Sequence, residues 1–83
     1  MNIDIFGLGY VGSILIACLS KENKLFGIDI DETKVKQINK SQPPINEPHL
    51  EEFLKENSHN INARTSFCEN YEKSFIGFIC VGT

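Results

Sequence analysis

Six residues near the start of the chain, Gly7-Leu8-Gly9-Tyr10-Val11-Gly12, constrain its fold more than any other feature. They set three glycines at GxGxxG spacing between an apolar, β-branched run (Asn2 to Phe6) and a helical pattern that begins near Tyr10. A strand that stops at Gly7 and a helix that starts at once leave little choice of backbone path. Gly7 permits the tight turn out of the strand. Gly9 has no Cβ, so the backbone can approach a large anion. Gly12 lets the helix lie close to the sheet. A second strand pattern over 24–30 carries an acid, Asp29, twenty residues after Gly9. Strand, glycines, helix and acid together match a βαβ unit that binds a dinucleotide. The pyrophosphate would sit on the free N–H groups of the helix start, at the positive end of its dipole. Asp29 would accept hydrogen bonds from the adenosine ribose hydroxyls, and its charge would oppose a 2′-phosphate, which favours NAD over NADP. A plain βαβ turn with chance glycines is the competing reading, and the strand, helix and acid in context all weigh against it.

The remaining pattern extends this unit. Val11, Ile14, Leu15, Cys18 and Leu19 follow the i, i+3, i+4, i+7, i+8 spacing of one buried helical face. Asp31 is placed to cap a helix over 32–40, with Val35 and Ile38 facing inward. Ser41 to Pro48 reads as a loop broken by Pro43, Pro44 and Pro48, and Pro48 suits the first turn of a further helix with a Leu50, Phe53 and Leu54 stripe. Asn57 to Asn60 ends that helix. A weak strand is expected over 61–65 and a short helical or irregular link over 67–73. Phe75 to Val81 is a continuous apolar run, as in a strand buried on both faces. The order β-α-β-α-α-β-(α)-β implies an α/β fold, the first half of a doubly wound, Rossmann-like parallel sheet, truncated. Residues 1–83 form a single, incomplete NAD-binding domain in this reading.

Composition narrows the function. A net charge of −3 with no basic stripe argues against nucleic acid as a partner. The apolar runs are too short to span a bilayer, so no membrane role is expected. Cys18, Cys68 and Cys80 are odd in number and widely spaced, which is neither a disulfide framework nor a metal or redox motif. With no basic and apolar leader pattern at Met1, a cytoplasmic location with reduced thiols is expected. Cys18 and Cys80 read as core thiols, His49 has no ligand partner in sequence, and no metal site is expected. Glu47, Glu51, Glu52 and Glu56 read as a solvated helix face. Asp31 could touch the ribose or only cap its helix, and Lys34 could reach the ribose or phosphate or only face solvent. Val81-Gly82-Thr83 could touch a dinucleotide beyond the strand ends or be part of a severed loop.

Several segments in order resemble the UDP-glucose/GDP-mannose dehydrogenase family: Phe6-Gly7-Leu8-Gly9-Tyr10-Val11-Gly12, Gly27-Ile28-Asp29-Ile30-Asp31 with Lys34-Val35, Ile38-Asn39, Pro44-Ile45-Asn46-Glu47-Pro48, and Phe78-Ile79-Cys80-Val81-Gly82-Thr83. The opening segment, Cys18-Leu19-Ser20 and the closing segment are most similar to the GDP-mannose branch. The resemblance implies NAD-dependent oxidation of a nucleotide-sugar C6 alcohol to a carboxylate, in two steps, for polysaccharide synthesis. It implies that Gly9, Tyr10 and Val11 contact the cofactor phosphates, that Asp29 and Lys34 hold the adenosine ribose, that Thr83 lies against the dinucleotide, and that Glu47 approaches the nicotinamide side. His49 and Ser41-Gln42 depart from family glycines, Asp4 is unusual in a buried first strand, and the link over 67–73 is about one residue short. The family's catalytic residues and nucleotide-sugar site have no counterpart among these residues, so none is assigned as catalytic and the chain alone is expected to be inactive. The alternatives are a stand-alone nucleotide-binding module, which would have to shield its apolar last strand, for instance as a homodimer, or a truncated remnant.

Overall fold

The computed structural model describes residues 1–65 and 76–80. The elements run β1 (Asn2–Phe6), α1 (Tyr10–Leu19), β2 (Lys24–Ile28), α2 (Glu32–Asn39), α3 (Leu50–Glu56), a 3-10 turn (Ser58–Asn60), β3 (Ile61–Arg64) and β4 (Ile76–Ile79). The four strands are parallel in the order β3-β2-β1-β4. The chain therefore moves outward from β1 through β2 to β3, then returns to the other side of β1. The first strand lies next to this reversal of direction, which is where an open parallel sheet binds ligands.

Alternation decides what is buried. Ile3 and Ile5 lie in register with Leu25 and Gly27, and these with Ile61 and Ala63. This face carries the core with Leu8, Ile16, Ala17, Val35, Ile38, Leu50 and Leu54. Each large apolar side chain buried there contributes about 1.5–3 kcal/mol relative to exposure. Asp31 caps α2 as expected, accepting from the amides of Thr33 and Lys34, and Val35 and Ile38 point inward. At the outer edge of β3, the Asn39 side chain donates to the Ala63 carbonyl (2.9 Å) and accepts from the Ala63 amide (2.8 Å).

Four expectations need correction. The buried residues of α1 are Gly12, Ser13, Ile16 and Ala17, whereas Val11 and Cys18 are exposed and Ile14, Leu15 and Leu19 are only partly buried. The helix is apolar on most sides, so its spacing fits several faces, and the choice falls to the small residues that permit close approach. A Cβ on Gly12 would lie 1.9 Å from the Gly7 carbonyl oxygen. The buried Ser13 hydroxyl is satisfied by donating to the Leu8 carbonyl at 3.0 Å. Strand β2 ends at Ile28, and Ile30 is 93% exposed because the chain has already turned toward α2. Phe53 is exposed on α3 while Leu50 and Leu54 are buried. Strand β4 is not buried on both faces: Phe78 is exposed, Ile79 is 77% exposed, and among the described residues β4 pairs only with β1. Cys80 follows it, half-buried, with its amide donating to the Phe6 carbonyl at 2.7 Å.

The family departures are accommodated. His49 sits at φ −102°, so no left-handed backbone is needed there. Ser41 adopts φ 59°, the left-handed conformation that glycine takes without strain. Asp4 is buried in β1. The expected link over 67–73, Phe75, Val81 and Thr83 lie outside the described residues.

Candidate dinucleotide site

The glycine turn joins the ends of the two central strands. Gly7 has φ 103°, a conformation that side-chain-bearing residues rarely adopt, and its amide donates to the Ile28 carbonyl at 2.8 Å. The chain then enters α1, whose first bond in the ladder runs from the Ser13 amide to the Gly9 carbonyl at 3.0 Å. The amides before Ser13 precede that ladder. Gly9 stands at the N-cap, and no side chain among the described residues caps the helix there. The opposite end of α1 is treated differently. Asn23 donates to the Leu19 carbonyl (2.9 Å) and Asn60 to the Ser20 carbonyl (2.8 Å). So carbonyls at one end of α1 are bound by side chains, whereas no side chain among the described residues closes the amide end, where the dipole is positive.

There is room for an anion at the amide end of α1. A Cβ built on Gly9 meets nothing within 4 Å, whereas one on Gly12 strikes the Gly7 carbonyl. Gly9 thus faces open space and Gly12 faces the turn behind it. Tyr10 is 61% exposed and Val11 58% exposed, both at this mouth. An open backbone turn whose amides precede the helical ladder, with no acid in the first turn of α1, fits a pyrophosphate.

Asp29 lies just past β2, with its amide donating to the Arg64 carbonyl at 3.1 Å. Its carboxylate accepts from the Leu8 amide through Oδ2 (2.7 Å) and from the Asp31 amide through Oδ1 (2.8 Å). Burial acts to raise the Asp29 pKa, but the two amide bonds and the Lys34 ammonium outweigh it, and the net displacement is below the ordinary aspartate value. The anion is therefore the form present at neutral pH, and it keeps acceptor capacity for ribose hydroxyls.

The structure thus brings together Gly7, Gly9, Tyr10, Val11, Gly12, Asp29 and Lys34. Glu47 stands apart from them. With His49, Leu50 and Phe53 it lines an apolar cleft against Ile14, Ala17 and Cys18 of α1. Asp31 acts as the cap of α2. Among the described residues, no cluster of three His, Cys, Asp or Glu side chains could hold a metal ion, and no helix is long and apolar enough to cross a membrane. Sequence reasoning gave Leu8 no role. Its side chain is fully buried and its amide is bound by Asp29. The available signal was Gly27, a glycine in mid-strand, which often marks a close approach.

Comparison with known proteins places this geometry. Residues 1–83 match the family model described as the UDP-glucose/GDP-mannose dehydrogenase family, NAD binding domain. The chain is 42% identical over its whole length to GDP-mannose 6-dehydrogenase of Pseudomonas syringae pv. syringae, covering 20% of that protein. It is 40% identical to the UDP-glucose 6-dehydrogenase YwqF of Bacillus subtilis, again covering all of this chain and 20% of the relative. Among solved structures, a ternary complex of GDP-mannose dehydrogenase from Pseudomonas aeruginosa superimposes with a TM-score of 0.91 at 41% identity, over 100% of this chain and 20% of that one. A UDP-glucose dehydrogenase from Pyrobaculum islandicum gives 0.72 at 28% identity, over 78% of this chain and 16% of that one. The chain thus spans one fifth of the length of these two curated relatives. It belongs to the UDP-glucose/GDP-mannose dehydrogenase family and corresponds to the NAD-binding N-terminal region of its members.

Proposed function

We propose that this region holds NAD for a cytoplasmic dehydrogenase that oxidises the C6 alcohol of a nucleotide sugar to a carboxylate for polysaccharide synthesis. The observation that carries the reading is the uncapped amide end of α1 opening beside the Asp29 carboxylate. Gly7 and Gly12 shape the turn. The backbone at Gly9, Tyr10 and Val11 would bind the pyrophosphate. Asp29 would accept from the adenosine ribose, with Lys34 at its edge and within electrostatic reach of the carboxylate. By family likeness, Glu47 would approach the nicotinamide side and Thr83 would lie against the dinucleotide. NAD, when bound, supplies the hydride acceptor. These residues bind and orient it, while the nucleophile, the nucleotide-sugar site and any homodimer contacts belong to the parts of the relatives that this chain does not span.

The test is calorimetric titration of the folded chain with NAD and NADP, followed by assay with GDP-mannose and UDP-glucose. Saturable NAD binding is expected, with NADP weaker by about tenfold or more from the Asp29 charge. No NADH is expected from either sugar. A folded chain that ignores NAD overturns the binding assignment, and NADH production by these 83 residues overturns the placement of the chemistry elsewhere.

A further inference from the structure

We infer that Asp29 is a positioning residue for the phosphate-binding turn as well as a ribose acceptor, so that one carboxylate couples the two halves of the dinucleotide site. The inference rests on the dinucleotide reading above and extends it. Leu8 lies between two glycines, whose backbones have little conformational preference of their own. Something else must fix the peptide planes that aim the amides of the turn. Two contacts hold Leu8 itself. Its side chain is fully buried and seats over Gly27, where an added Cβ would come within 2.7 Å of Leu8 Cδ2. Its amide donates to Asp29 Oδ2 at 2.7 Å, a short, partly buried, charge-assisted bond between residues 21 apart in sequence.

The other oxygen of Asp29 accepts from the Asp31 amide at 2.8 Å, and Asp31 Oδ1 in turn accepts from Thr33 (2.9 Å) and Lys34 (3.4 Å). A single chain of bonds therefore runs from the phosphate turn, through Asp29, to the first turn of α2 and Lys34. Each carboxylate oxygen retains a second lone pair, so ribose hydroxyls can bind without displacing Leu8. Because the Leu8 bond already exists, the turn is set before the ligand arrives, and binding does not have to order it. Removing Asp29 then damages phosphate binding even for a ligand with no ribose hydroxyls to offer.

The experiment compares wild type and Asp29→Ala, at the protein's natural length, with NAD and with an NAD analogue lacking both adenosine ribose hydroxyls. Amide hydrogen exchange at Leu8 is measured on the same samples, with Ile5 and Ile16 as folding controls. Loss of a bond to a charged acceptor predicts about tenfold weaker analogue binding by the variant, and faster exchange at Leu8 with the controls unchanged. Asp29→Asn keeps the volume and one acceptor oxygen, so it decides the matter if the alanine variant does not fold, and an intermediate loss is expected. Equal analogue affinity in wild type and variants overturns the inference and leaves Asp29 as a ribose contact alone. The exchange measurement separates the two failures. Fast Leu8 exchange in the variant, with no NAD binding by wild type, supports the hold on the turn and overturns the dinucleotide reading. Unchanged Leu8 exchange overturns the inference whatever binds.

Discussion

Helices α1 and α2 start a few residues after neighbouring strands and face the same physical problem, a set of amides without intrahelical partners at the positive end of a dipole. They solve it in opposite ways. Asp31 closes α2 with its own carboxylate, and Glu32 adds a second negative charge in the first turn. Helix α1 has Gly9 at the same position, no side-chain cap, and no acid in its first turn. The amide end of α2 is satisfied within the chain and repels anions. Helix α1, which no side chain among the described residues caps, has a buried flank, and carbonyls at its other end are bound by Asn23 and Asn60. The difference teaches that binding capacity here comes from a group the fold declines to satisfy. The cost of that choice is met by packing elsewhere in the helix.

Three variants break or sharpen the contrast. The largest effect is expected from Gly12→Ala. Its Cβ would collide with the Gly7 carbonyl, and the shift of α1 should cost about 3 kcal/mol, read as a large fall in the midpoint of urea unfolding. Next is Gly9→Asp, which gives α1 the device used by α2. The new side chain would enter open space, so stability should change by only a few tenths of a kcal/mol, while NAD affinity falls at least about 100-fold. Retained affinity in calorimetry would show that the open amide end is not the phosphate site. The smallest effect is Asp31→Ala. Loss of the cap should destabilise by about 1 kcal/mol and speed amide exchange at Thr33 and Lys34 first. No change in stability would mean that the capping bonds contribute little and that Asp31 serves the ligand.

The parts of this molecule that were legible in the sequence are those with a local cause. The glycine turn, β1, the Asp31 cap with Val35 and Ile38, and the short β3 each follow from residues near one another in the chain. The buried face of α1 was not legible, because a helix apolar on most sides gives no unique stripe, and the deciding contact between Gly12 and Gly7 depends on how the turn folds back. The exposure of β4 was misread for a related reason: an apolar run does not say how many neighbours its strand has. At the site, the glycines and Asp29 stood out by spacing. Leu8 did not, since its role depends on a carboxylate 21 residues away and on an absent side chain at Gly27.

The side chain of Asn39 has a consequence for how this sheet can be assembled. A carboxamide offers the same donor and acceptor as a peptide group, and it occupies both the N–H and the C=O that Ala63 turns away from β2. The sheet therefore has an asymmetric growth habit. On the β3 flank a strand from any other polypeptide meets a template whose central pair is already filled, which protects against unwanted addition. Recruitment of further strands is directed to the β4 flank, so a short amide on α2 sets the direction in which a larger sheet can be laid down.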